Sequence, residues 1–123
     1  MSRPLLALPL AALLAVHAEA ENAPTLGQQT YERLCENCHG PQGKGDGPAG
    51  LSALPMPRDF SVGQFKFDAD SDGQTGSDAD LFLVIRDGAG AAGGSPLMAP
   101  WGQLGPESIR ELVVYIRSLE RAD

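Results

Sequence analysis

The motif Cys35-Glu36-Asn37-Cys38-His39 constrains this chain more than any other feature. It contains both cysteines of the 123 residues and one of the two histidines. The same C-x-x-C spacing occurs in disulfides, zinc sites, redox dithiols and sites where two thiols hold a haem covalently. The spacing alone does not distinguish these four chemistries, so the choice depends on the rest of the chain.

The N-terminus has the features of an export signal. Arg3 supplies a positive charge, the apolar run 5–16 spans 12 residues, and Ala18 and Ala20 provide the small residues before a cleavage site. A membrane-spanning helix needs about 20 apolar residues, so an uncleaved anchor is the less favoured interpretation. We expect a signal peptide over residues 1–20, a single domain over residues 21–123, a periplasmic location and no stable membrane insertion.

Composition and charge limit the possible functions. The formal net charge of −7 disfavours binding to nucleic acid or to an anionic membrane. The 15 glycines and 10 prolines, set against only one Trp, two Tyr and four Phe, predict a loop-rich fold with a modest core of its own. Such a core leaves room for a further component.

Three helices are predicted from apolar spacing and capping signals. The first covers residues 25 to about 37 and ends at the cysteine motif. The second follows the sequence SDAD at residues 77–80, which has the form of a capping box with Asp in place of Glu or Gln, and it closes at Asp87 and Gly88.

The third helix is predicted to begin at Gly105 and Pro106, where proline is favoured in the first turn. Five apolar residues then form one stripe at helical spacing: Ile109, Leu112, Val113, Ile116 and Leu119. The Pro- and Gly-rich segments 40–61 and 88–102 show no strand-like alternation. The predicted fold class is therefore all-α, with long ordered loops.

These features favour covalent haem attachment over the other three chemistries of the cysteine motif. A structural zinc site needs about four ligands, whereas only Cys35, Cys38 and His39 remain after signal removal. A thioredoxin-like dithiol requires a βαβ context, and a disulfide across two residues stabilises a domain little. In the haem interpretation the two thiols add to the porphyrin vinyl groups, and His39 binds the iron from one axial side.

With these residues in place, the chain resembles the small class I c-type cytochromes from about residue 25 to residue 119. Gly27, Tyr31 and Cys35 match the spacing of a glycine, an aromatic residue and the first cysteine in that family. The resemblance implies that the first helix crosses the last one at Leu112, Tyr115 and Ile116. It also implies a cytochrome c-like fold around one haem c, and a one-electron carrier rather than an enzyme.

The resemblance implies further site residues. The segment GPAGL, residues 47–51, is similar to the family segment whose proline carbonyl accepts the proximal histidine Nδ1–H, so Pro48 is the implied partner of His39. A plain proline turn is the alternative. The segment MAPWG, residues 98–102, resembles the segment that carries the axial methionine. The residues implied to pack on the haem or bind its propionates are Trp101, Phe65, Lys66 and Phe67.

Arg58 is a second candidate for a propionate partner, with a solvated surface charge as the alternative. For Phe65 and Phe67, ordinary core packing is as consistent with the sequence as a role at the haem.

The sixth iron position has two thioether candidates, Met56 and Met98, because no histidine follows His39. A lysine could ligate only after losing a proton. Met98 lies 98 − 39 = 59 positions after His39 and is flanked by prolines that stiffen its loop, so it is favoured over Met56. Iron held by His39 and Met98 has no open position for a substrate, and this predicts electron transfer rather than catalysis.

Two alternative functions remain open. The domain could be the dedicated haem subunit of a periplasmic dehydrogenase or reductase complex. If Met98 is not an iron ligand, a gas sensor or a peroxidase-like protein is the alternative. For a carrier, the net charge of −7 predicts redox partners with an electropositive docking surface.

The sequence DADSDG at residues 68–73 begins like a calcium-binding loop, but its twelfth position is Ala79 where a Glu is required. We expect a solvated surface loop there.

Overall fold

The computed structural model describes residues 22–121, together with residues 1, 2 and 4. The predicted signal peptide over residues 1–20 thus lies, apart from those three residues, outside the described part. Four helices occur in the described part: α1 (Leu26–Leu34), α2 (Glu36–His39), α3 (Asp78–Asp87) and α4 (Pro106–Ser118). No strand occurs among the described residues, so the predicted all-α class is confirmed. Among the helices described, none is long and apolar enough to cross a membrane.

Local capping chemistry sets the helix boundaries. The Thr25 side chain accepts a hydrogen bond from the Gln28 backbone N–H at 3.1 Å and starts α1. At α3, the Ser77 and Asp80 side chains form the predicted capping box, each accepting a backbone N–H of the other residue. Helix α4 begins at Pro106 as predicted. These confirmed boundaries all depend on residues close together in the sequence.

The first predicted helix is not continuous. It was expected to extend to about residue 37, but α1 ends at Leu34 and a separate turn, α2, starts at Glu36. Cys35 lies between them with φ of −114° and still donates its backbone N–H to the Tyr31 carbonyl at 2.8 Å. The break therefore places the two cysteines around the separate turn α2 rather than on the end of one long helix.

Helices α1 and α4 cross in close contact. The rings of Tyr31 and Tyr115 lie 5.1 Å apart between centroids, and Tyr31 is fully buried. A Cβ atom on Gly27 would lie 2.1 Å from the Glu111 carbonyl oxygen, so only glycine allows this approach. The crossing implied by the cytochrome resemblance is confirmed.

The core lies where α3 and α4 meet α1 and the turn Phe60–Val62. Eight buried side chains form it: Tyr31, Phe60, Leu81, Ile85, Ile109, Leu112, Val113 and Ile116. The predicted stripe of α4 supplies four of them.

Arg117 connects α4 to the start of α3. Its Nε donates to an Asp78 carboxylate oxygen at 2.8 Å, and its guanidinium also donates to the Gly76 carbonyl at 2.5 Å.

Candidate functional site

The turn α2 brings the two cysteines and His39 together. The backbone N–H groups of Cys38 and His39 both bond to the Cys35 carbonyl, at 3.2 and 2.9 Å. Both cysteines are free thiols, Cys38 exposed and Cys35 partly buried. Burial, and to a lesser extent the neighbouring Cys38, raises the pKa of the Cys35 thiol to about 11. Redox dithiols have lowered thiol pKa values, so this site does not resemble one.

His39 is held as a neutral imidazole. Its side chain is buried, and its ring stacks on Phe60 with centroids 4.3 Å apart. Burial lowers the pKa of His39 below its ordinary 6.5, although the hydrogen bond to Arg58 acts in the opposite direction. The Nδ1 atom lies 3.1 Å from the Arg58 carbonyl oxygen. Since a carbonyl can only accept, Nδ1 carries the proton and Nε2 keeps the lone pair that a metal ligand needs.

The carbonyl that faces His39 differs from the one expected. The sequence pointed to Pro48, whereas the structure has Arg58 in that role. The loop around Pro48 instead packs on the backbone of α2, with Gly47 N–H bonded to the Cys38 carbonyl at 3.1 Å and Ala49 N–H to the Asn37 carbonyl at 2.9 Å. Pro48 lies between these two bonded residues and is itself exposed.

Tyr31 connects the helix crossing to this turn. Its buried hydroxyl donates to the Gly40 carbonyl at 2.7 Å, and Gly40 directly follows His39. Burial is the main cause that raises the pKa of Tyr31, so the phenol stays protonated and keeps donating. The peptide after His39 is thus fixed to the α1–α4 contact.

The segment with Met98 is attached to the end of α3. The Met98 carbonyl accepts the Ala89 N–H at 3.2 Å, and the Trp101 N–H bonds to the Ile85 carbonyl at 2.8 Å. Met98 is partly buried, whereas Met56 is 53% exposed. Two hydrogen bonds to one helix end therefore define the path of residues 98–101.

The remaining predicted haem-contact residues have partners within the chain. Phe65 stacks at 5.8 Å on Phe60, and Trp101 packs against the core. The Arg58 guanidinium donates to the Gln64 carbonyl, and the Lys66 Nζ lies 5.2 Å from the Phe67 ring centroid. Their assignment as residues that pack on the haem or bind its propionates remains a prediction.

Sequence reasoning missed Phe60 and the Arg58 carbonyl. Phe60 is the residue that stacks on His39, but nothing in the sequence separates it from Phe65 and Phe67 nearby. The Arg58 contribution comes from its backbone, which has no residue signature. Asp59, which directly follows Arg58 and whose side chain accepts the Ser61 N–H at 2.9 Å, is the local signal of an ordered turn there.

The acidic loop after residue 67 is bound to α3 through Asp80. One carboxylate oxygen of Asp80 accepts the Ala69 and Asp70 N–H groups at 2.6 and 3.2 Å, and the other accepts the Ser77 N–H at 2.9 Å. Oxygens of Asp68, Asp70 and Asp80 lie within 4.8 Å of one another. The oxygens of Asp80 already have backbone partners, so the cluster is explained by the fold.

A groove of about 510 Å³ lies between α3 and α4, lined by Asp78, Ala79, Phe82, Leu83, Arg110, Val113 and Val114. It contains none of the cysteine-motif residues and none of the other predicted haem-site residues. The chemistry of the site therefore lies elsewhere.

The site has the donor set that haem c requires. Cys35 directly precedes the turn α2 and Cys38 lies within it, both as free thiols, and the neutral, buried imidazole of His39 directly follows Cys38. Residues 22–116 match the family model described as cytochrome C oxidase, cbb3-type, subunit III. The chain belongs to this family. This cytochrome is an electron-transfer haem protein with one covalently attached haem c, as the sequence predicted, and Cys35, Cys38 and His39 are the residues that would hold it.

Solved structures similar to the cytochrome agree with this assignment. One is a chain of the reducing HAO-like protein complex Kustc0457/Kustc0458 of Kuenenia stuttgartiensis, with a TM-score of 0.65, 31% identity and 81% of the present chain covered. The present chain spans only 44% of that one. The KustC0563 c-type cytochrome matches with a TM-score of 0.50 and 28% identity, over 77% of this chain and 98% of that one. No curated protein matches the sequence.

Proposed function

We propose that this cytochrome is an exported one-electron carrier, not an enzyme, whose haem iron is held between His39 and Met98. The main support for this proposal is the arrangement at the α2 turn. Two free thiols lie there next to a neutral His39 whose Nε2 is available to bind iron. Haem supplies the iron couple that gains and loses one electron. If His39 and Met98 both hold the iron, no coordination site would be open to a substrate, and the protein would only transfer the electron.

The choice of Met98 rests on its surroundings. The Met98 carbonyl is bonded to the Ala89 N–H just beyond α3, the Trp101 N–H of the same segment is bonded to Ile85 in α3, and the Met98 side chain is partly buried. Met56 is 53% exposed and follows the turn of residues 47–50 that packs on α2. A thioether ligand needs a fixed position and shelter from water, since its bond to iron is weaker than that of imidazole.

The test compares Met98→Ala with the matched control Met56→Ala, both in the holoprotein. Met98→Ala should abolish the charge-transfer absorption of iron–methionine sulfur and lower the reduction potential, because the reduced iron loses its soft ligand. The reduced variant should also bind carbon monoxide, which wild type should not do readily. Met56→Ala should leave all three properties unchanged.

Two other outcomes change the assignment in different ways. If Met56→Ala abolishes the sulfur band instead, the carrier function stands and the ligand is Met56. If reduced wild type binds carbon monoxide as readily as Met98→Ala, Met98 is not a ligand. A gas sensor or peroxidase-like function then replaces the carrier.

Export is part of the proposal. Arg3, the apolar run 5–16 and the small residues Ala18 and Ala20 support cleavage after Ala20. The intact mass of the protein purified from the periplasm should equal residues 21–123 plus one haem. A mass that retains residues 1–20 would refute the cleavage.

We also propose that its redox partners present an electropositive surface. The net charge is −7, and residues 68–80 contain five aspartates and no Lys, Arg or His. Attraction of this kind weakens as salt screens the charges, so the rate of electron transfer to the physiological partner should fall with rising ionic strength. A rate that does not change with salt would contradict this docking mode.

A second candidate is a haem subunit of a larger redox complex. The observation that favours it is the similarity to a chain in a HAO-like protein complex. Sedimentation of the protein in gently prepared periplasm distinguishes the two. A free carrier sediments as a small protein near its own mass, while a subunit sediments with a large partner.

A further inference from the structure

We propose that Gly88 is a positioning residue for Met98, and that its missing side chain lets the Met98 thioether reach the iron. This inference rests on the His39/Met98 ligation proposed above. Gly88 is buried at the end of α3, where its N–H bonds to the Val84 carbonyl at 2.9 Å. Its φ of +83° takes the chain from the helix to the segment next to Met98.

The backbone of residues 98–100 lies directly against Gly88. A Cβ atom built there would be 2.9 Å from the Met98 carbonyl oxygen and 3.1 Å from the Pro100 nitrogen. The next residue, Ala89, donates its N–H to the same Met98 carbonyl at 3.2 Å. Gly88 and Ala89 thus form the surface on which the Met98 peptide rests.

A side chain at Gly88 would have to displace that peptide. The atoms it meets are backbone atoms and the Pro100 ring, which cannot rotate away as a flexible side chain can. Ordinary contact begins at 3.4 Å, so the Met98 carbonyl must move by at least 0.5 Å from its 2.9 Å position. Ligand sites tolerate only about 0.5 Å of such displacement. The Trp101 N–H is bonded to the Ile85 carbonyl at 2.8 Å, which fixes the segment at its C-terminal end. The displacement is therefore expected at Met98 rather than at Trp101.

Backbone strain is a separate effect, because a non-glycine residue is disfavoured at the backbone angles of Gly88, a φ of +83° and a ψ of 156°. Gly105 provides the control. Its φ of +81° and ψ of 160° are nearly the same, but a Cβ atom on Gly105 would have nothing within 4 Å. Gly88→Ala and Gly105→Ala therefore share the backbone strain and differ in the contact with Met98.

The experiment compares holoprotein of wild type, Gly88→Ala, Gly105→Ala and Met98→Ala. The readouts are the iron–sulfur charge-transfer absorption, carbon monoxide binding by the reduced protein and the reduction potential. Gly88→Ala should lose most of the sulfur band and bind carbon monoxide, as Met98→Ala does. Gly105→Ala should keep the band and exclude carbon monoxide, as wild type does.

The inference is overturned if Gly88→Ala keeps the band, or if both glycine variants lose it equally. If Gly88→Ala yields no folded holoprotein, Ala89→Pro replaces it. It removes the N–H that holds the Met98 carbonyl, at the first position of a 3₁₀ turn where proline is tolerated. A band retained in Ala89→Pro then overturns the inference. Failure of the proposed ligation looks different, since either wild type lacks the band or Met98→Ala keeps it.

Discussion

Replacing Gly27 with alanine tests the contact between α1 and α4 on which the fold depends. In an unconstrained helix this change is stabilising by up to about 1 kcal/mol, because alanine is the better helix former. In this cytochrome the added methyl group would lie 2.1 Å from the Glu111 carbonyl oxygen and 3.2 Å from the Tyr115 Cβ. The two effects oppose each other, so the sign of the result is informative.

The steric effect is the larger one. Ordinary contact begins at 3.4 Å, so the methyl group is 3.4 − 2.1 = 1.3 Å too close, and the helices must separate. Overpacking of this kind costs about 1 to 3 kcal/mol, and a gap of about 0.5 to 1 Å already removes a quarter to a half of the dispersion energy across a contact. We therefore expect a net loss of about 2 kcal/mol. For a domain of this size, the melting temperature should fall by about 8 to 16 °C.

The assay is guanidinium unfolding of the oxidised holoprotein, with two control variants at Gln29. This residue is exposed on α1, and its side chain donates to the Pro24 carbonyl at 2.9 Å. Gln29→Ala and Gln29→Gly both remove that hydrogen bond, so their difference gives the alanine–glycine preference of α1 alone. Subtracting it from the Gly27→Ala result leaves the cost of the contact. If Gly27→Ala is as stable as wild type, or more so, the described crossing is wrong.

Two further substitutions follow from buried hydrogen bonds. Tyr31→Phe removes the 2.7 Å bond to the Gly40 carbonyl and should lower the unfolding free energy by about 1 to 2 kcal/mol, with partly exposed Tyr115→Phe as the milder control in guanidinium unfolding. Burial acts to raise the pKa of Asp80, but hydrogen bonds from Ser77, Asp70 and Ala69 prevail and hold it below its ordinary 3.8. The ionised Asp80 carboxylate therefore stabilises the folded protein above pH 3.8. This stabilisation is lost as the pH falls through the lowered pKa of Asp80. Asp80→Asn should be less stable at pH 7 and lose part of this acid sensitivity in thermal melts from pH 2 to 7, whereas an unchanged acid profile would contradict the role.

The fold could be predicted where the interacting residues lie close together in the sequence. The capping box of Ser77 and Asp80 and the stop at Gly88 gave the bounds of α3, and the apolar stripe gave the buried face of α4. The break at Cys35 could not be predicted in this way, because the apolar spacing of Leu26, Tyr31 and Leu34 does not show where the helix ends.

The sequence carries information on the side-chain chemistry of the site but not on the contributions of its backbone. The cysteine motif predicts the haem-binding residues through thiol and imidazole chemistry, which only a few residue types provide. The partner of the His39 Nδ1 is a carbonyl 19 residues away, at Arg58, and every residue has a carbonyl. Its position depends on the path of a long loop, which local sequence does not encode. Asp80 also accepts hydrogen bonds from the backbone N–H groups of Ala69 and Asp70, and these bonds could not be predicted for the same reason.

The bond from Tyr31 to Gly40 has a thermodynamic consequence for the haem. It joins the α1–α4 crossing to the peptide directly after His39. By linkage, any interaction that differs in strength between the oxidised and reduced protein changes the reduction potential and the redox-dependent stability by the same free energy. A change in the helix crossing therefore shifts the reduction potential only by the amount to which it changes the stabilities of the oxidised and reduced proteins unequally. Substitutions at the crossing, which leave Cys35, Cys38 and His39 in place, would measure that coupling.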